Sequence, residues 1–190
     1  MLDKARPALK PMIEQLARPF LKVPPNWLSA LGPVVALVYL GCMIKGWFGV
    51  ALIVLVGMVL DSLDGAVARL TGRVSDFGAF WDATLDRVAD LIIVAAFGAS
   101  GLMPWEWVVA LMGAGLLVSY TRAKVGEVSG GRVRLAVGLM ERGERLLVIG
   151  WLTLTAALGW MNLMTWSFYG LTGLTVITVG QRIWAAKLKL

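Results

Sequence analysis

Four aspartates form two helically spaced pairs within one short part of this 190-residue chain. Asp61 and Asp64 are three positions apart and Asp82 and Asp86 are four apart, so each pair projects from a single helix face. Four carboxylates in apolar surroundings repel one another and either take up protons or bind cations. The chain has no histidine and one cysteine, so an all-oxygen site favours a hard divalent cation: Mg²⁺, Mn²⁺ or Ca²⁺.

Four carboxylates suffice to hold two such cations. A pair of cations about 4 Å apart clamps the attacking and leaving oxygens of a displacement at phosphorus, so phosphoryl transfer is the leading class of chemistry. An aspartate-rich prenyltransferase would normally carry its two motifs far apart in sequence. A membrane transporter with a carboxylate metal site predicts charge near the bilayer midplane or paired half-helices. Ordinary helix-end charge explains a single pair well, but it explains two pairs at matched depth poorly.

A helical hairpin would bring the two pairs together. Residues 69–78, with Gly72 and several polar side chains, predict a turn between two antiparallel helices. Counted from the middle of this turn, Asp61 and Asp86 are each 12.5 residues away. Asp64 and Asp82 are 9.5 and 8.5 residues away, so all four carboxylates are expected at one depth. Small residues on the same faces leave room for a ligand; they are Gly65, Ala68 and Gly78.

The composition around this hairpin is that of an integral membrane protein. Hydrophobic residues make up 58% of the chain and charged residues 16%, with a mean hydropathy of +0.77. The predicted fold is a single all-α domain over 1–190, with an amphipathic interfacial helix at 1–23 and a bundle of six transmembrane helices at 24–184. The second and third spans must extend into the acidic stretch, because about 20 residues are needed to cross ~30 Å of hydrocarbon. The apolar segments are 27–44, 47–60, 88–103, 105–120, 146–160 and 163–179.

The basic residues predict the orientation of these spans. With six spans, Lys45 is the only lysine or arginine on one side of the membrane. The positive-inside rule then predicts a multi-pass protein of the cell membrane with both termini and the carboxylate site on the cytoplasmic side. The net charge of +6 follows from this bias and from attraction to anionic lipid head groups. No basic motif interleaved with aromatic residues indicates a nucleic-acid partner.

The acidic stretch resembles the signature of the CDP-alcohol phosphotransferase family at every fixed position of Asp61-x2-Asp64-Gly65-x2-Ala68-Arg69-x8-Gly78-x3-Asp82-x3-Asp86. The resemblance implies a membrane enzyme of phospholipid biosynthesis, usually a homodimer, in which an alcohol displaces CMP from a CDP-linked lipid. It implies that the four aspartates bind two Mg²⁺ or Mn²⁺ ions and that Asp86 is also the base for the attacking hydroxyl. The residues implied to bind the CDP-lipid are Asn26, Ser29, Asp61, Gly65, Ala68, Arg69, Gly78 and Asp82.

Three stretches beyond the signature bear on the acceptor: 119–123, 140–146 and 181–182. They resemble the branch of the family that uses inositol phosphate. Guanidinium groups suit a phosphorylated acceptor because they bind phosphate bidentately and stay charged. Glycerol 3-phosphate or another alcohol is the alternative acceptor, and the sequence leaves open whether the donor carries acyl or isoprenoid chains. The residues implied to bind the acceptor phosphate are Ser119, Arg122, Arg142, Arg145 and Arg182. Positive-inside bias is the alternative explanation for each of the arginines among them.

Overall fold

The computed structural model describes residue 15 and residues 18–58, 63–133, 135 and 137–190, with the backbone alone for 63–65. The described ranges contain α-helices and no strand, which confirms the predicted all-α class for these ranges. Most of the interfacial helix predicted at 1–23 lies outside the described residues, and its described end holds a 3-10 turn at Arg18–Phe20. The helices are α1 Pro25–Ile44, α2 Phe48–Gly57, α3 Leu63–Leu70, α4 Asp76–Ala99, α5 Trp105–Val128, α6 Arg142–Ala157 and α7 Met161–Lys189.

Three of the described helices are long and apolar enough to cross a membrane: α1, α5 and α7. Helix α2 is apolar but shorter, with 10 residues. Helix α4 runs without interruption for 24 residues from the acidic stretch into the apolar one, as predicted for the third span. The total of six spans stays a prediction.

The predicted hairpin turn lies between α3 and α4. Gly72 adopts a positive φ of 66°, and the two bonds Gly72 N–H to Arg69 O and Arg73 N–H to Ala68 O close the end of α3 as a Schellman motif. At the start of α4, the Ser75 hydroxyl oxygen accepts the Gly78 N–H at 3.0 Å, which caps the helix. Glycine and serine at these positions therefore encode where one helix ends and the next begins.

The chain divides into two compact units, Met1–Ala96 and Phe97–Leu190. In the first unit, α1 packs against α2 and α3. Leu28 of α1 is buried with Ala66 and Val67 of α3, and Val23 packs against this cluster. This contact fixes the start of α1 beside the helix that carries the first half of the acidic motif.

In the second unit, α5 and α6 each pack against α7. Phe97 and Phe168 are both buried, with ring centroids 5.5 Å apart. Five buried threonine hydroxyls in this unit donate to backbone carbonyls of their own helix three or four residues earlier. They belong to Thr153, Thr155, Thr172, Thr175 and Thr178.

Two helical glycines provide a matched test of this packing. A Cβ on Gly98 would lie 2.9 Å from the Trp105 ring, whereas a Cβ on Gly113 would meet nothing within 4 Å. We expect Gly113→Ala to keep or raise stability by up to about 1 kcal/mol through helix propensity. Gly98→Ala should cost about 1–2 kcal/mol in overpacking, which lowers the melting temperature by a few degrees. Thermal unfolding in detergent measures both, and equal melting temperatures would contradict the packing.

Candidate active site

A cleft of about 290 Å³ opens in the first unit between the start of α1, the end of α3, the turn and the start of α4. Six of the eight residues predicted to bind a CDP-lipid line it: Asn26, Ser29, Ala68, Arg69, Gly78 and Asp82. The other two are not tested, because Asp61 lies outside the described residues and Gly65 is described only as part of the α3 backbone. The cleft wall also includes Pro25, Arg73, Val74, Ser75 and Ala79.

Close approach of α1 and α4 forms one side of this cleft. A Cβ on Gly78 would lie 3.0 Å from the Ser75 hydroxyl oxygen and 3.4 Å from Asn26 Oδ1, so it would be tight against the Ser75 cap and in contact with the Asn26 side chain. The Trp81 indole N–H donates to the Asn26 carbonyl oxygen at 3.3 Å and ties the two helices together. Packing therefore favours glycine at this motif position.

Ser29 lies one helical turn after Pro25, in the first part of α1. Its side chain is buried, and its hydroxyl donates to the Pro25 carbonyl oxygen at 3.3 Å. Pro25 itself is the first residue of the helix, where its missing N–H leaves no hydrogen bond unmade. The Pro-Pro pair thus starts α1 at the position that places Asn26 and Ser29 in the cleft wall.

The cleft carries charge of both signs. Arg69 and Arg73 line it together with Asp82. Two guanidinium groups beside a carboxylate suit a diphosphate that is shared between arginines and a carboxylate-bound cation. Sequence reasoning treated Arg73 and Ser75 only as parts of a turn. Both residues lie in the loop between the two halves of the motif, and ligand-contacting residues concentrate in loops held by rigid elements. This position could have predicted that they line the cleft.

Asp82 and Asp86 lie one turn apart on α4, and both are partly buried. Arg87 Nη1 lies 3.9 Å from Asp86 Oδ2 and 3.7 Å from Asp90 Oδ2, distances that suit charge balance rather than hydrogen bonds. The oxygen-only donors of Asp82 and Asp86 fit a hard divalent cation. Among the side chains that the structure describes, no group of three or more metal-ligating residues occurs. Because Asp61 and the Asp64 side chain are not among them, the four-aspartate site stays a prediction.

In the second unit, two of the arginines predicted to bind an acceptor phosphate are buried. Arg182 is 2% exposed and Arg145 is 6% exposed. Arg182 donates from Nε to the Val137 carbonyl oxygen at 2.8 Å and from Nη1 to the Val118 carbonyl oxygen. Its Nη2 donates to Glu141 Oε1 at 3.1 Å. Backbone carbonyls and one carboxylate therefore hold this guanidinium in the apolar interior.

The other predicted acceptor residues lie on α5 and α6. Ser119 donates to the Gly115 carbonyl oxygen at 3.3 Å, and a Cβ on Gly115 would lie 3.7 Å from Arg145 Nε. Arg122 is exposed one turn after Ser119, and its charge acts on Arg182 together with that of Arg145. Arg142 is half-buried at the first position of α6, one turn before Arg145. The structure thus gathers Ser119, Arg122, Arg145 and Arg182 in one region.

Sequence reasoning assigned no role to Glu141, which lies beside Arg142 in a stretch already singled out. Its partner Arg182 is 41 positions away, so no local spacing indicates the pair. The signal that could have found it is general: a buried arginine in a membrane protein needs an acceptor, and Glu141 is one of the few acidic residues in this half of the chain.

Comparison with known proteins agrees with this architecture. Over its whole length the chain is 36% identical to the archaetidylinositol phosphate synthase of Pyrococcus horikoshii, of which the alignment covers 98%. The fold is similar to that of the Mycobacterium tuberculosis phosphatidylinositol phosphate synthase in complex with manganese and citrate, with a TM-score of 0.78 at 27% identity over 92% of this chain and 88% of that one. The same enzyme with CDP-DAG bound gives a TM-score of 0.74 at 27% identity over 92% of both chains.

The family-level match covers most of the chain, including all the residues that line the cleft and, in the second unit, Ser119, Arg122, Arg142 and Arg145. Residues 22–179 match the sequence profile of the CDP-alcohol phosphatidyltransferases. This match and the Pyrococcus horikoshii relative, aligned over 98% of its length, confirm the resemblance drawn from the acidic motif. The chain therefore belongs to the CDP-alcohol phosphatidyltransferase family and is a transferase of phosphate-containing groups.

Proposed function

We propose that this chain transfers a phosphatidyl-type group from a CDP-linked lipid to a hydroxyl of inositol phosphate and releases CMP. The observation that carries the proposal is the cleft in which six of the residues implied to bind a CDP-lipid converge from α1, α3 and α4. The relatives named above are an archaetidylinositol phosphate synthase and a phosphatidylinositol phosphate synthase, which supports inositol phosphate as the acceptor. A CMP-release assay with both donor types distinguishes a lipid with acyl chains from one with isoprenoid chains.

In this proposal the cleft receives the CDP part of the donor, and the lipid chains extend into the bilayer. Asn26 and Ser29 lie beside the nucleotide, and Arg69 and Arg73 bind its phosphate oxygens. Asp61, Asp64, Asp82 and Asp86 hold two divalent cations, Mg²⁺ or Mn²⁺. When bound, such cations neutralise the diphosphate and stabilise charge that develops on the attacking and leaving oxygens. A cleft of about 290 Å³ matches a nucleotide head group rather than a whole lipid.

The reaction is one displacement at the lipid-proximal phosphorus. The acceptor hydroxyl oxygen forms a bond to this phosphorus while the bond to the bridging oxygen breaks, and CMP leaves with that oxygen. The hydroxyl proton passes to the Asp86 carboxylate, which is a general base in a partly buried position. The acceptor phosphate is held by Arg145 and Arg182, with Ser119, Arg122 and Arg142 contributing. Glycerol 3-phosphate is the alternative acceptor, because the same guanidinium groups would bind its phosphate.

The proposal also includes the membrane topology and the oligomeric state of the chain. We place the chain in the cell membrane with six spans, both termini and the active site on the cytoplasmic side, and a homodimer as the assembly. The charge distribution supports this orientation, since Lys45 follows the first long apolar helix as the one basic residue of its side in a six-span arrangement.

The acceptor is tested by CMP release from purified enzyme across a panel of alcohols and both donor lipid types. We expect release with inositol phosphate and little with free inositol, because guanidinium groups bind a phosphate strongly and free inositol carries none. Release with glycerol 3-phosphate but not with inositol phosphate would assign the alternative acceptor. No release with any acceptor would point to a transporter or other metal-binding membrane protein.

The role of Asp86 is tested against a neighbour on the same helix. Asp86→Asn should lower the CMP release rate by about 10²–10⁴, because an amide cannot take the hydroxyl proton. Asp90→Asn, one turn later, removes a carboxylate at a similar distance from Arg87 and should stay within a few-fold of wild type. Equal losses in the two variants would exclude a specific role for Asp86.

Metal dependence is tested by removal and return of the cation. Chelation with EDTA should abolish CMP release, and added Mg²⁺ or Mn²⁺ should restore it, because oxygen ligands alone form the predicted site. Zn²⁺ should restore less activity, since the chain has no histidine and a single cysteine. Full activity after exhaustive chelation would contradict the two-cation proposal.

A further inference from the structure

The segment that precedes α6 is fastened to α7, and we name residues 137–141 the strap. The Met140 N–H donates to the Thr178 hydroxyl oxygen at 3.0 Å. Gly138 has a positive φ of 142°, and a Cβ there would lie 2.5 Å from Thr178 Cγ2. The strap therefore packs directly on α7, at a place where only glycine fits.

Both buried arginines take hydrogen-bond acceptors from this strap. Arg182 Nε donates to the Val137 carbonyl oxygen at 2.8 Å, and Arg145 Nη1 donates to the Met140 carbonyl oxygen at 3.2 Å. Glu141, the last strap residue, supplies the carboxylate that lies 3.1 Å from Arg182 Nη2. The strap thus fixes the two guanidinium groups relative to each other.

We propose that Glu141 is a positioning residue that holds Arg182 in the orientation that binds the phosphate of the acceptor. The inference rests on the proposed function only in requiring a phosphorylated acceptor. Glu141 itself does not contact the reacting atoms. It acts through Arg182, whose side chain it reaches from the N-cap position of α6.

The donor count of Arg182 supports this role. A guanidinium has five N–H groups, and the described hydrogen bonds use one on Nε, one on Nη1 and one on Nη2. One N–H on each Nη atom is therefore left without an acceptor among the described residues. Two such groups on one planar fork match the oxygens of a phosphate bidentately, provided that the fork is held still.

The charges around Arg182 also support a positioning role for Glu141. The positive charges of Arg122 and Arg145 repel Arg182, and Glu141 offsets part of this repulsion. Without the carboxylate, Arg182 would lose its one charged acceptor and would be driven to reorient before an anion arrives. A single acidic residue therefore keeps the site ordered while leaving it cationic enough to attract a phosphate.

The test compares Glu141→Ala, Glu141→Gln and the control Glu127→Ala, measuring KM for the acceptor, KM for the CDP-lipid, kcat and melting temperature. Glu127 pairs with Lys124 on the exposed face of α5 and should leave all four values unchanged when replaced. Glu141→Ala should raise the acceptor KM at least about ten-fold, the effect of losing a charge-assisted hydrogen bond, and leave the CDP-lipid KM within about two-fold. Glu141→Gln keeps an acceptor atom and should raise the acceptor KM only about three-fold.

An unchanged acceptor KM in Glu141→Ala, or an equal rise in both KM values, would overturn the inference. If Glu141→Ala does not fold, Glu141→Gln decides, and an acceptor KM equal to that of wild type would then refute it. If wild-type enzyme uses glycerol 3-phosphate instead, the proposed acceptor is wrong, but the same comparison with that acceptor still tests Glu141. Use of an unphosphorylated alcohol by the wild-type enzyme would refute both proposals.

Discussion

A buried guanidinium is stable only when its N–H groups meet acceptors, and this requirement shapes the second unit of the chain. Arg182 is 2% exposed and takes acceptors from α5 and from two strap residues, Val137 and Glu141. Arg145 is similarly tied to the strap. Removing the strap would leave charge in apolar surroundings, at a cost of several hydrogen bonds. The strap, packed on α7, therefore supplies the acceptors that allow two arginines to remain in the interior.

In the first unit, residues close together in the sequence position most of the cleft. The end of α3, the turn and the start of α4 are specified within ten residues by Gly72, Ser75 and Gly78. Helix α1 is then brought to the same place by the Leu28 contact with α3 and by the Trp81 bond to Asn26. A compact motif supplies most of the cleft, and one distant helix completes it. This arrangement explains why a signature of 26 residues identifies the family.

The sequence predicts the features that depend on residues close together in the chain, and it does not predict contacts between distant positions. The all-helical class and the helical position of Asp82 and Asp86 depend on local spacing, and the described residues confirm them. The predicted turn at 69–78 is present but shorter, at residues 71–75, because Arg69 and Leu70 still belong to α3 and α4 already begins at Asp76. The convergence of Asn26, Ser29 and Arg69 on one cleft came from resemblance rather than spacing. The pairs Arg182 with Glu141 and Trp81 with Asn26 join positions 41 and 55 apart, and no periodicity within one helix can indicate such contacts. The joint geometry of the four aspartates stays a prediction, because Asp61 and the Asp64 side chain are not described.

The threonines of α7 have a consequence for how such chains are recognised as membrane proteins. Thr172, Thr175 and Thr178 each give their hydroxyl hydrogen to a carbonyl of their own helix, so these donors need no partner outside α7. Residue scales count each of them as polar, and α7 accordingly reaches a window hydropathy of only 1.2, against 1.9 for α1. Counting spans from composition alone therefore underrates helices of this kind. A topology search over related chains would gain from treating a threonine that bonds back to its own helix as an apolar residue.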